Sequence, residues 1–310
     1  MNILLTGANS FTGMWFAESL AAAGYRVVAP LQRAAKDYTG TRGSRVERLG
    51  KVAEIVEACP FGSDDFLSLV QNNTFDAICH HAAQMTDYKS LSFDATAAVC
   101  ENTRNLSKIL ENTRNLRAVI LTGSVFEADE GIGTEPREAF SPYGLSKTLT
   151  GSVFRYWCGH LKIPLTRFII PNPFGPYEEQ RFGHYLMSCW AKKQTATVKT
   201  PDYIRDNIPV SLLAKIYADT VKRTLNNEKI VHIAPSFYAE SQSTFTQRMA
   251  REMTTRLSLP CAVELLPQTE FIEPLARVNT DRPDTVRLGW DERTAWDNLA
   301  DYYRETYLSS

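Results

Sequence analysis

Long apolar runs are missing from this 310-residue sequence, and that absence narrows what the chain can be. No stretch reaches the roughly 18–20 consecutive apolar residues that a membrane-spanning helix requires. Residues 1–7 also lack the basic and apolar segments of a secretory signal, and their pattern is typical of a β-strand. We therefore expect a cytoplasmic protein with no membrane partner.

Clustered cysteine and unbalanced charge are missing as well. The six cysteines form no CxxC pair and no cluster with histidine, so we expect reduced thiols and no metal site. The 34 basic and 35 acidic residues leave a formal net charge of −1, which does not favour nucleic acid as a partner. What the chain does have is 44% hydrophobic residues, enough for a substantial core.

Short apolar runs alternate with amphipathic stretches through the first two-thirds of the chain. The apolar runs that predict buried parallel strands are residues 2–6, 26–30, 52–56, 76–80, 117–122 and 165–170. The stretches that predict helices between them include residues 11–23, 92–112 and 143–160. This order predicts an α/β fold with a Rossmann-like, doubly wound parallel sheet covered on both faces.

The alternation weakens after residue 170, where prolines cluster. Helices are predicted near residues 182–194 and 209–226, a strand at 230–234 and a terminal helix at 291–307. We predict a first domain at residues 1–170, to which later segments return. Residues 171–310 are predicted to form mainly a smaller C-terminal α/β region.

A glycine-containing loop joins the first predicted strand to the first predicted helix. Its glycines permit a tight turn, close approach of the backbone to a pyrophosphate, and close packing of the helix on the sheet. The helix N-terminus offers N–H groups and a positive dipole end to the same anion. The loop therefore predicts a dinucleotide cofactor, with a plain structural turn as the alternative. The candidate contacts are Gly7, Asn9, Ser10, Phe11, Thr12 and Gly13.

An acidic residue is missing where a Rossmann domain uses one to bind the ribose 2′-hydroxyl of NAD. Leu31 stands at about that place, at the end of the second predicted strand, and Arg33 follows. A guanidinium pairs with a 2′-phosphate through two hydrogen bonds. We therefore favour NADP over NAD as the cofactor, and the alternative is that Arg33 is a surface charge. Residues 33–51 are expected to form a solvated loop or a polar helix.

The segment 141–147 predicts an acid/base pair. Ser141 is a good helix N-cap and Pro142 suits the first helical position. Tyr143 and Lys147 are then four residues apart on one helical face. A neighbouring ammonium lowers the pKa of a phenol toward working pH, so Tyr143 becomes a candidate proton donor and acceptor for a carbonyl oxygen.

The strand before this helix ends in hydroxyl-bearing residues, at 121–126, and here the chain resembles a known family. It is similar to the extended short-chain dehydrogenases of the NAD-dependent epimerase/dehydratase group, which act on nucleotide sugars. Matching Val125 and Phe126 to the family's Val–Tyr pair implies that Thr122 is the catalytic hydroxyl, with Ser124 as second candidate. Both would contact the substrate oxygen, and Lys147 would also bind the nicotinamide ribose.

The resemblance extends over nearly the whole chain and implies further site residues. Two alanines at 82 and 83, after the fourth strand, would lie beside the cofactor, and an asparagine at 102 would support the active-site lysine. A Pro–Asn pair at 171 and 172 would contact cofactor and substrate, and an arginine at 205 would reach a nucleotide diphosphate. These residues are Ala82, Ala83, Asn102, Pro171, Asn172 and Arg205.

The resemblance leaves three reactions open. Dehydratases of the family carry an acid pair after the hydroxyl, and here those places hold Gly123 and Ser124, which argues against dehydration. The missing ribose acid and the presence of Arg33 favour NADPH-dependent reduction of a nucleotide-linked 4-keto-6-deoxysugar. The alternative is an NAD-dependent nucleotide-sugar 4-epimerase, and a non-catalytic cofactor sensor is disfavoured by the intact Tyr143 and Lys147. Family resemblance further implies a homodimer.

Overall fold

Two compact units make up the protein, as seen in a computed structural model that describes residues 1–133 and 137–308. The first unit comprises residues 1–130, 137–170 and 214–234. The second takes in the described residues within 131–136, 171–213 and 235–310. A segment beyond residue 170 therefore belongs to the first unit.

The first unit is built on a seven-stranded parallel sheet with the strand order β11-β7-β5-β4-β1-β2-β3. Its strands are β1 Asn2–Thr6, β2 Arg26–Pro30, β3 Glu54–Val56, β4 Ala77–His80, β5 Ala118–Ser124, β7 Leu165–Ile170 and β11 His232–Ile233. The chain runs outward from β1 in one direction and then in the other, which is the doubly wound arrangement. This confirms the predicted Rossmann-like fold class.

Helices cover both faces of this sheet. They are α1 Phe11–Ala22, α2 Gly40–Leu49, α3 Asp64–Asn72, α4 Ala95–Asn102, α5 Leu106–Asn112, α6 Pro142–His160 and the part of α8 Val210–Leu225 from residue 214 onward. On one face, Val119 and Leu121 of β5 pack in a cluster with Phe154 of α6. On the other face, Phe16 of α1 stacks on Tyr217 of α8 with ring centroids 3.9 Å apart.

One predicted helix proved to be two. Residues 92–112 were expected to form a single helix, but α4 ends at Asn102 and α5 begins at Leu106. The break is at Asn105, whose φ of 54° is left-handed and whose side-chain amide donates to the Gly62 carbonyl at 2.8 Å. Asparagine tolerates this conformation better than most residues, and the tertiary hydrogen bond holds it there.

The second unit combines short strands with helices of its own. Its larger sheet has the order β12-β10-β14-β6, with β8 also pairing with β10, and β13 pairs separately with β9. The strands are β6 Ile132–Gly133, β8 Asn172–Phe174, β9 Ala196–Val198, β10 Ile204–Pro209, β12 Tyr238–Ser241, β13 Val263–Leu265 and β14 Ala276–Val278. The helices are α7 Phe182–Ala191, α9 Gln242–Leu257 and α10 Glu292–Tyr303.

The core of the second unit is rich in aromatic and sulfur-containing side chains. Trp190 of α7, Met249 and Met253 of α9 and Trp296 of α10 are buried in one cluster. None of the helices in residues 1–133 and 137–308 is both long enough and apolar enough to span a bilayer.

Candidate active site

The loop between β1 and α1 forms a tight turn that ends in a capped helix. The N–H of Ser10 donates to the Gly7 carbonyl at 3.0 Å, and the Ser10 hydroxyl accepts the N–H of Gly13 at 3.1 Å. Ser10, found where a three-glycine fingerprint has glycine, thus serves as the N-cap of α1.

Both glycines of this loop are required by crowding. Gly7 has a φ of 68°, and a Cβ there would lie 2.7 Å from the backbone nitrogen of Ala82. A Cβ on Gly13 would overlap the Gly7 carbonyl oxygen. The loop after β4 therefore lies directly against the β1–α1 loop, and only glycine permits this approach.

The residues of this loop fit an anionic group. Among the described residues, the backbone N–H groups of Phe11 and Thr12 have no acceptor. Unsatisfied donors at the start of a 12-residue helix form an anion-binding site, strengthened by the helix dipole. These two N–H groups would hold the pyrophosphate of a dinucleotide.

His81 is a functional neighbour that sequence reasoning did not assign. Its Nε2 lies 3.0 Å from the Ser10 hydroxyl and 2.8 Å from the Thr12 hydroxyl. Burial, together with the nearby Lys147 charge, lowers the pKa of His81 to about 3, so the imidazole is neutral at physiological pH. The only sequence signal was a histidine beside the family's alanine pair. His81 follows β4 and the glycine loop follows β1, so the contact between them could not be predicted from the sequence.

Ala82 and Ala83 come one residue after the end of β4, at the carboxyl edge of the sheet. The Ala82 N–H and the His81 N–H both donate to the Thr6 hydroxyl at 3.1 Å. This hydroxyl at the end of β1 therefore fixes the loop after β4 beside Gly7. The structure brings together the first strand end, the glycine loop and Ala82, as the predicted cofactor site requires.

Arg33 lies at the carboxyl end of β2, past the buried Leu31. Its side chain is exposed, and the guanidinium carbon lies 4.7 Å from the centre of the Tyr38 ring. The Arg33 backbone N–H also donates to the Tyr38 hydroxyl at 3.3 Å. Stacking on an aromatic face orients a guanidinium while leaving its N–H edge open.

The first turn of α6 presses closely on the end of β5. The Ser141 hydroxyl accepts the N–H of Gly144 at 3.0 Å and caps the helix, with Pro142 in the first turn. A Cβ on Gly144 would overlap the Phe126 carbonyl oxygen, so glycine permits the contact. Tyr143 is buried there, edge-on to Tyr88 and Phe93 at centroid distances of 5.3 and 6.0 Å.

Lys147 reaches the carboxyl end of β5 from the same helical face. Its Nζ donates to the Thr122 carbonyl at 2.7 Å. Burial lowers the pKa of Lys147 to about 8; the Glu127 charge opposes that shift and the Arg167 charge adds to it. The ammonium therefore titrates near working pH.

The two candidate hydroxyls at the end of β5 are placed differently. Thr122 alternates with Leu121, which packs toward α6, so the Thr122 side chain faces the opposite side, near Tyr217. Its Oγ1 is buried without a hydrogen-bond partner in the described part of the chain. Ser124 is half-buried, and its hydroxyl accepts the Phe126 N–H at 3.2 Å. Lys147 donates to the backbone carbonyl of Thr122 and not to its hydroxyl.

Asn102 supports the site one turn away from the lysine. Its side-chain oxygen accepts the Gln84 N–H at 2.8 Å, and its amide donates to the Thr150 hydroxyl at 3.3 Å. The buried Asn102 therefore joins the loop after Ala83 to α6. Its contact on α6 is Thr150 rather than Lys147 itself.

Three predicted residues belong to the second unit. Pro171 is buried, and Asn172 begins β8, opposite Asn207 of β10. Arg205 on β10 is buried, and its Nη2 donates to the Glu273 carboxylate at 2.9 Å. The Arg205 guanidinium also stacks over Tyr203, at 4.6 Å from the ring centre.

A match to a family model decides the family. The model of the NAD-dependent epimerase/dehydratase family matches residues 3–228, which is more than half of the chain. The chain belongs to the NAD-dependent epimerase/dehydratase family. This confirms the resemblance and the enzyme class predicted from the motifs. A comparison with curated protein sequences gave no match.

Solved structures of the family share this fold over their full length. A UDP-glucuronic acid 4-epimerase from Bacillus cereus is 17% identical, with a TM-score of 0.74 over 99% of this chain and 100% of that one. A dTDP-glucose 4,6-dehydratase from Streptomyces venezuelae is 16% identical, with a TM-score of 0.72 over 99% and 98%. A UDP-glucose 4-epimerase from Thermotoga maritima is 16% identical, with a TM-score of 0.71 over 99% of both chains. At such identities the likeness establishes the fold.

Proposed function

We propose that the protein uses NADPH to reduce a nucleotide-linked 4-keto-6-deoxysugar, with Tyr143 as the acid/base. The observation that carries the proposal is the α6 face, which buries Tyr143 and brings the Lys147 Nζ to 2.7 Å from the Thr122 carbonyl. A phenol and an ammonium at the carboxyl edge of a Rossmann sheet are suited to protonating an alkoxide.

The chain's own residues then have distinct tasks. The cofactor, when bound, supplies the hydride that reduces the keto carbon. Tyr143 gives its proton to the oxygen that becomes the alcohol. Lys147 releases the Thr122 carbonyl to bind the nicotinamide ribose and keeps positive charge beside the phenol. Ser124 is the candidate donor to the developing negative charge, where hydrogen bonds lower the barrier most. Thr122, the first candidate from the sequence, is disfavoured because its side chain faces away from α6 and only its carbonyl binds Lys147.

The substrate's diphosphate would bind to Arg205. In the structure this guanidinium pairs with Glu273, whose side chain is partly exposed. A bound diphosphate would replace that carboxylate as the partner of Arg205. Asn172, close by in the strand pairing of β8 with β10, is the second candidate substrate contact in this unit.

The preference for NADPH rests on Arg33. The described end of β2 offers no carboxylate to a ribose 2′-hydroxyl, and the exposed guanidinium is already oriented by Tyr38. A 2′-phosphate would accept charge-assisted hydrogen bonds from it.

The 4-epimerase is the second candidate. It is favoured by the structural neighbours, since the Bacillus cereus enzyme was solved with UDP-glucuronic acid and NAD. An epimerase needs the same Tyr143 and Lys147. Dehydration is disfavoured because Glu127, a buried carboxylate near the end of β5, is committed to Arg167.

Cofactor binding separates the two candidates. The purified protein is examined by absorbance for retained cofactor and then titrated calorimetrically with NADPH and NADH. We expect an empty site and a preference for NADPH, which the Arg33→Ala variant loses by about tenfold or more. The matched control is Arg26→Ala, at the opposite end of β2, where the guanidinium pairs with Glu54. Tightly retained NAD and no preference for NADPH would contradict the reductase and favour the epimerase.

A further inference from the structure

A buried ion pair lies beneath the catalytic face of α6. Arg167 of β7 and Glu127, three residues beyond the end of β5, are both almost inaccessible, and the guanidinium binds the carboxylate. Two glycines make room for it. A Cβ on Gly123 would lie 2.8 Å from an Arg167 nitrogen, and a Cβ on Gly151 of α6 would overlap the guanidinium.

Glu127 connects this pair to the strand end. Its second oxygen, Oε1, accepts the backbone N–H of Ser124 at 2.7 Å. Glu127 therefore holds the backbone of a candidate catalytic hydroxyl while it neutralises Arg167. Burying two charges costs several kcal/mol per ion before their attraction is counted, so such a pair contributes little to stability compared with apolar packing.

The same pair faces the lysine. Glu127 favours the charged form of Lys147, and Arg167 disfavours it. The other titratable neighbours are Tyr143 on the same helix and two histidines of the β4 end, His80 and His81.

Both histidines carry no charge at neutral pH, because burial lowers the pKa of each to about 3. Behind the pair, Glu130 lies 3.8 Å from the Arg167 Nη2 and 2.8 Å from the exposed His232. Among the charged groups of residues 1–133 and 137–308 that act on Lys147, Glu127 favours its ammonium form.

We propose that Glu127 and Arg167 form a positioning pair that holds the Ser124 backbone and sets the charge of Lys147 for the acid/base step. This inference rests on the proposed role of Tyr143 and Lys147. Glu127 supplies the negative charge, and Arg167 fixes Glu127 between β5, β7 and α6. Loss of the Glu127 carboxylate alone removes the closer counter-ion of Arg167 and leaves Glu130, 3.8 Å from its Nη2, so the Arg167 cation acts more strongly on Lys147.

The test is direct titration of Lys147 in the full chain. Protein labelled with ¹³C-lysine is titrated by NMR, and the Lys147 Cε signal is assigned by its loss in Lys147→Met. In Glu127→Gln we expect the Lys147 midpoint to fall by about one pH unit. In the double variant Glu127→Gln/Arg167→Gln the midpoint returns toward the wild-type value. Glu127→Asp, which keeps the charge, remains close to wild type.

The matched control is Glu18→Gln. Glu18 pairs with Arg48 at 2.7 Å in the same unit, so its loss removes an ion pair without a link to Lys147. The control should leave the Lys147 midpoint in place. If Glu127→Gln does not fold, Arg167→Gln replaces it: loss of the Arg167 cation should raise the Lys147 midpoint, and an unchanged midpoint in that variant would contradict the assignment.

The titration does not depend on the substrate, so two failures are distinguishable. A shifted midpoint in Glu127→Gln supports the pair even if no keto sugar is reduced. An unchanged midpoint in folded Glu127→Gln overturns it, whatever the activity, since a purely structural pair would not alter the lysine's titration.

Discussion

At the scale of single residues, Tyr143 owes its position to its neighbours in sequence. Ser141 caps α6, Pro142 starts it, and Gly144 lets the first turn meet the Phe126 carbonyl. The four-residue spacing then brings Lys147 to the same buried face. The chemistry proposed for the pair follows from this local placement.

Replacing Tyr143 by phenylalanine removes the proton donor and keeps the ring packing against Tyr88 and Phe93. We expect the turnover number for the keto sugar to fall by about 10²–10⁴-fold, the usual contribution of general acid catalysis. Affinity for NADPH should be unchanged. Steady-state kinetics and calorimetry measure the two quantities.

Tyr156→Phe is the matched control for that variant, because Tyr156 lies on the same helix with its side chain exposed. It should keep wild-type turnover. Full activity in Tyr143→Phe would remove Tyr143 from the mechanism.

At the residue scale, the sequence predicted local structure where that structure depends on neighbours along the chain, as at the starts of α1 and α6. The turn of the glycine loop and the capped start of α6 could be predicted for that reason. His81, Glu127 and Arg167 were missed because their partners come from other strands. The contact of His81 with Ser10, for example, joins residues 71 positions apart.

At the scale of elements, the position of α1 depends on close contact between its first turn and the β1–α1 loop. Gly13→Ala would place a Cβ into the Gly7 carbonyl. We expect a loss of about 1–3 kcal/mol in the free energy of unfolding, as for other overpacked sites, and loss of cofactor binding. Denaturant unfolding and calorimetry test both effects.

Gly159→Ala is the helix control, because a Cβ on Gly159 of α6 meets nothing within 4 Å. Alanine should stabilise that helix by about 1 kcal/mol through propensity. If Gly13→Ala were equally harmless, the crowded loop would not be essential.

The segment between β8 and α7 holds a buried carboxylic acid. Burial raises the pKa of Glu178 to about 8, with Glu179 adding to the shift and Arg181 opposing it. Between its ordinary pKa of 4.5 and about 8, the folded chain keeps a proton that the unfolded chain releases. The contribution of Glu178 to stability is therefore lost as pH rises through this window.

Glu178→Gln should remove this dependence. Relative to wild type, the variant's free energy of unfolding should increase from pH 5 to pH 8, as measured by denaturant titration at each pH. Glu305→Gln, an exposed carboxylate of the same unit, is the control and should show no such trend. A constant difference for Glu178→Gln would mean that this group ionises normally.

The ends of helices and strands were harder to predict from the sequence than their presence. The apolar runs located the strands of the large sheet, because buried parallel strands are continuously apolar. The break between α4 and α5 was not readable, since Asn105 is held by Gly62, 43 positions away. The polar stretch 33–51 contains α2, whose apolar face is small.

At the scale of the whole molecule, we predict a homodimer. The outer face of α6 exposes Leu145, Leu149 and Tyr156 to 45%, 42% and 65%. These residues lie on one side of the helix, and an apolar stripe of this kind suits pairing with a second copy.

Leu149→Glu should convert the dimer to a monomer in light-scattering measurements. Val286→Glu is the control, because Val286 is 88% exposed and belongs to the second unit. A wild-type monomer, or a dimer in Leu149→Glu, would contradict this interface.

The fold and family of the whole chain followed from its motif order, whereas the reaction did not. Reduction and epimerisation share Tyr143 and Lys147. They differ in the source of the hydride: a reductase consumes an exchangeable reduced cofactor, whereas an epimerase takes the hydride from the sugar and returns it to the sugar. That difference depends on cofactor exchange and substrate shape, which few residues specify.

The most direct measurement is therefore transfer of label from NADPH that carries deuterium at both hydrogen positions of the nicotinamide C4. The protein is incubated with this cofactor and a nucleotide-linked 4-keto-6-deoxysugar, and the mass of the product is measured by mass spectrometry. We predict a sugar with one deuterium at the former keto carbon and a matching loss of NADPH absorbance, with product formed about 10²–10⁴-fold more slowly by Tyr143→Phe. Unlabelled product, or interconversion of two 4-hydroxy sugars without NADPH consumption, would contradict the reductase.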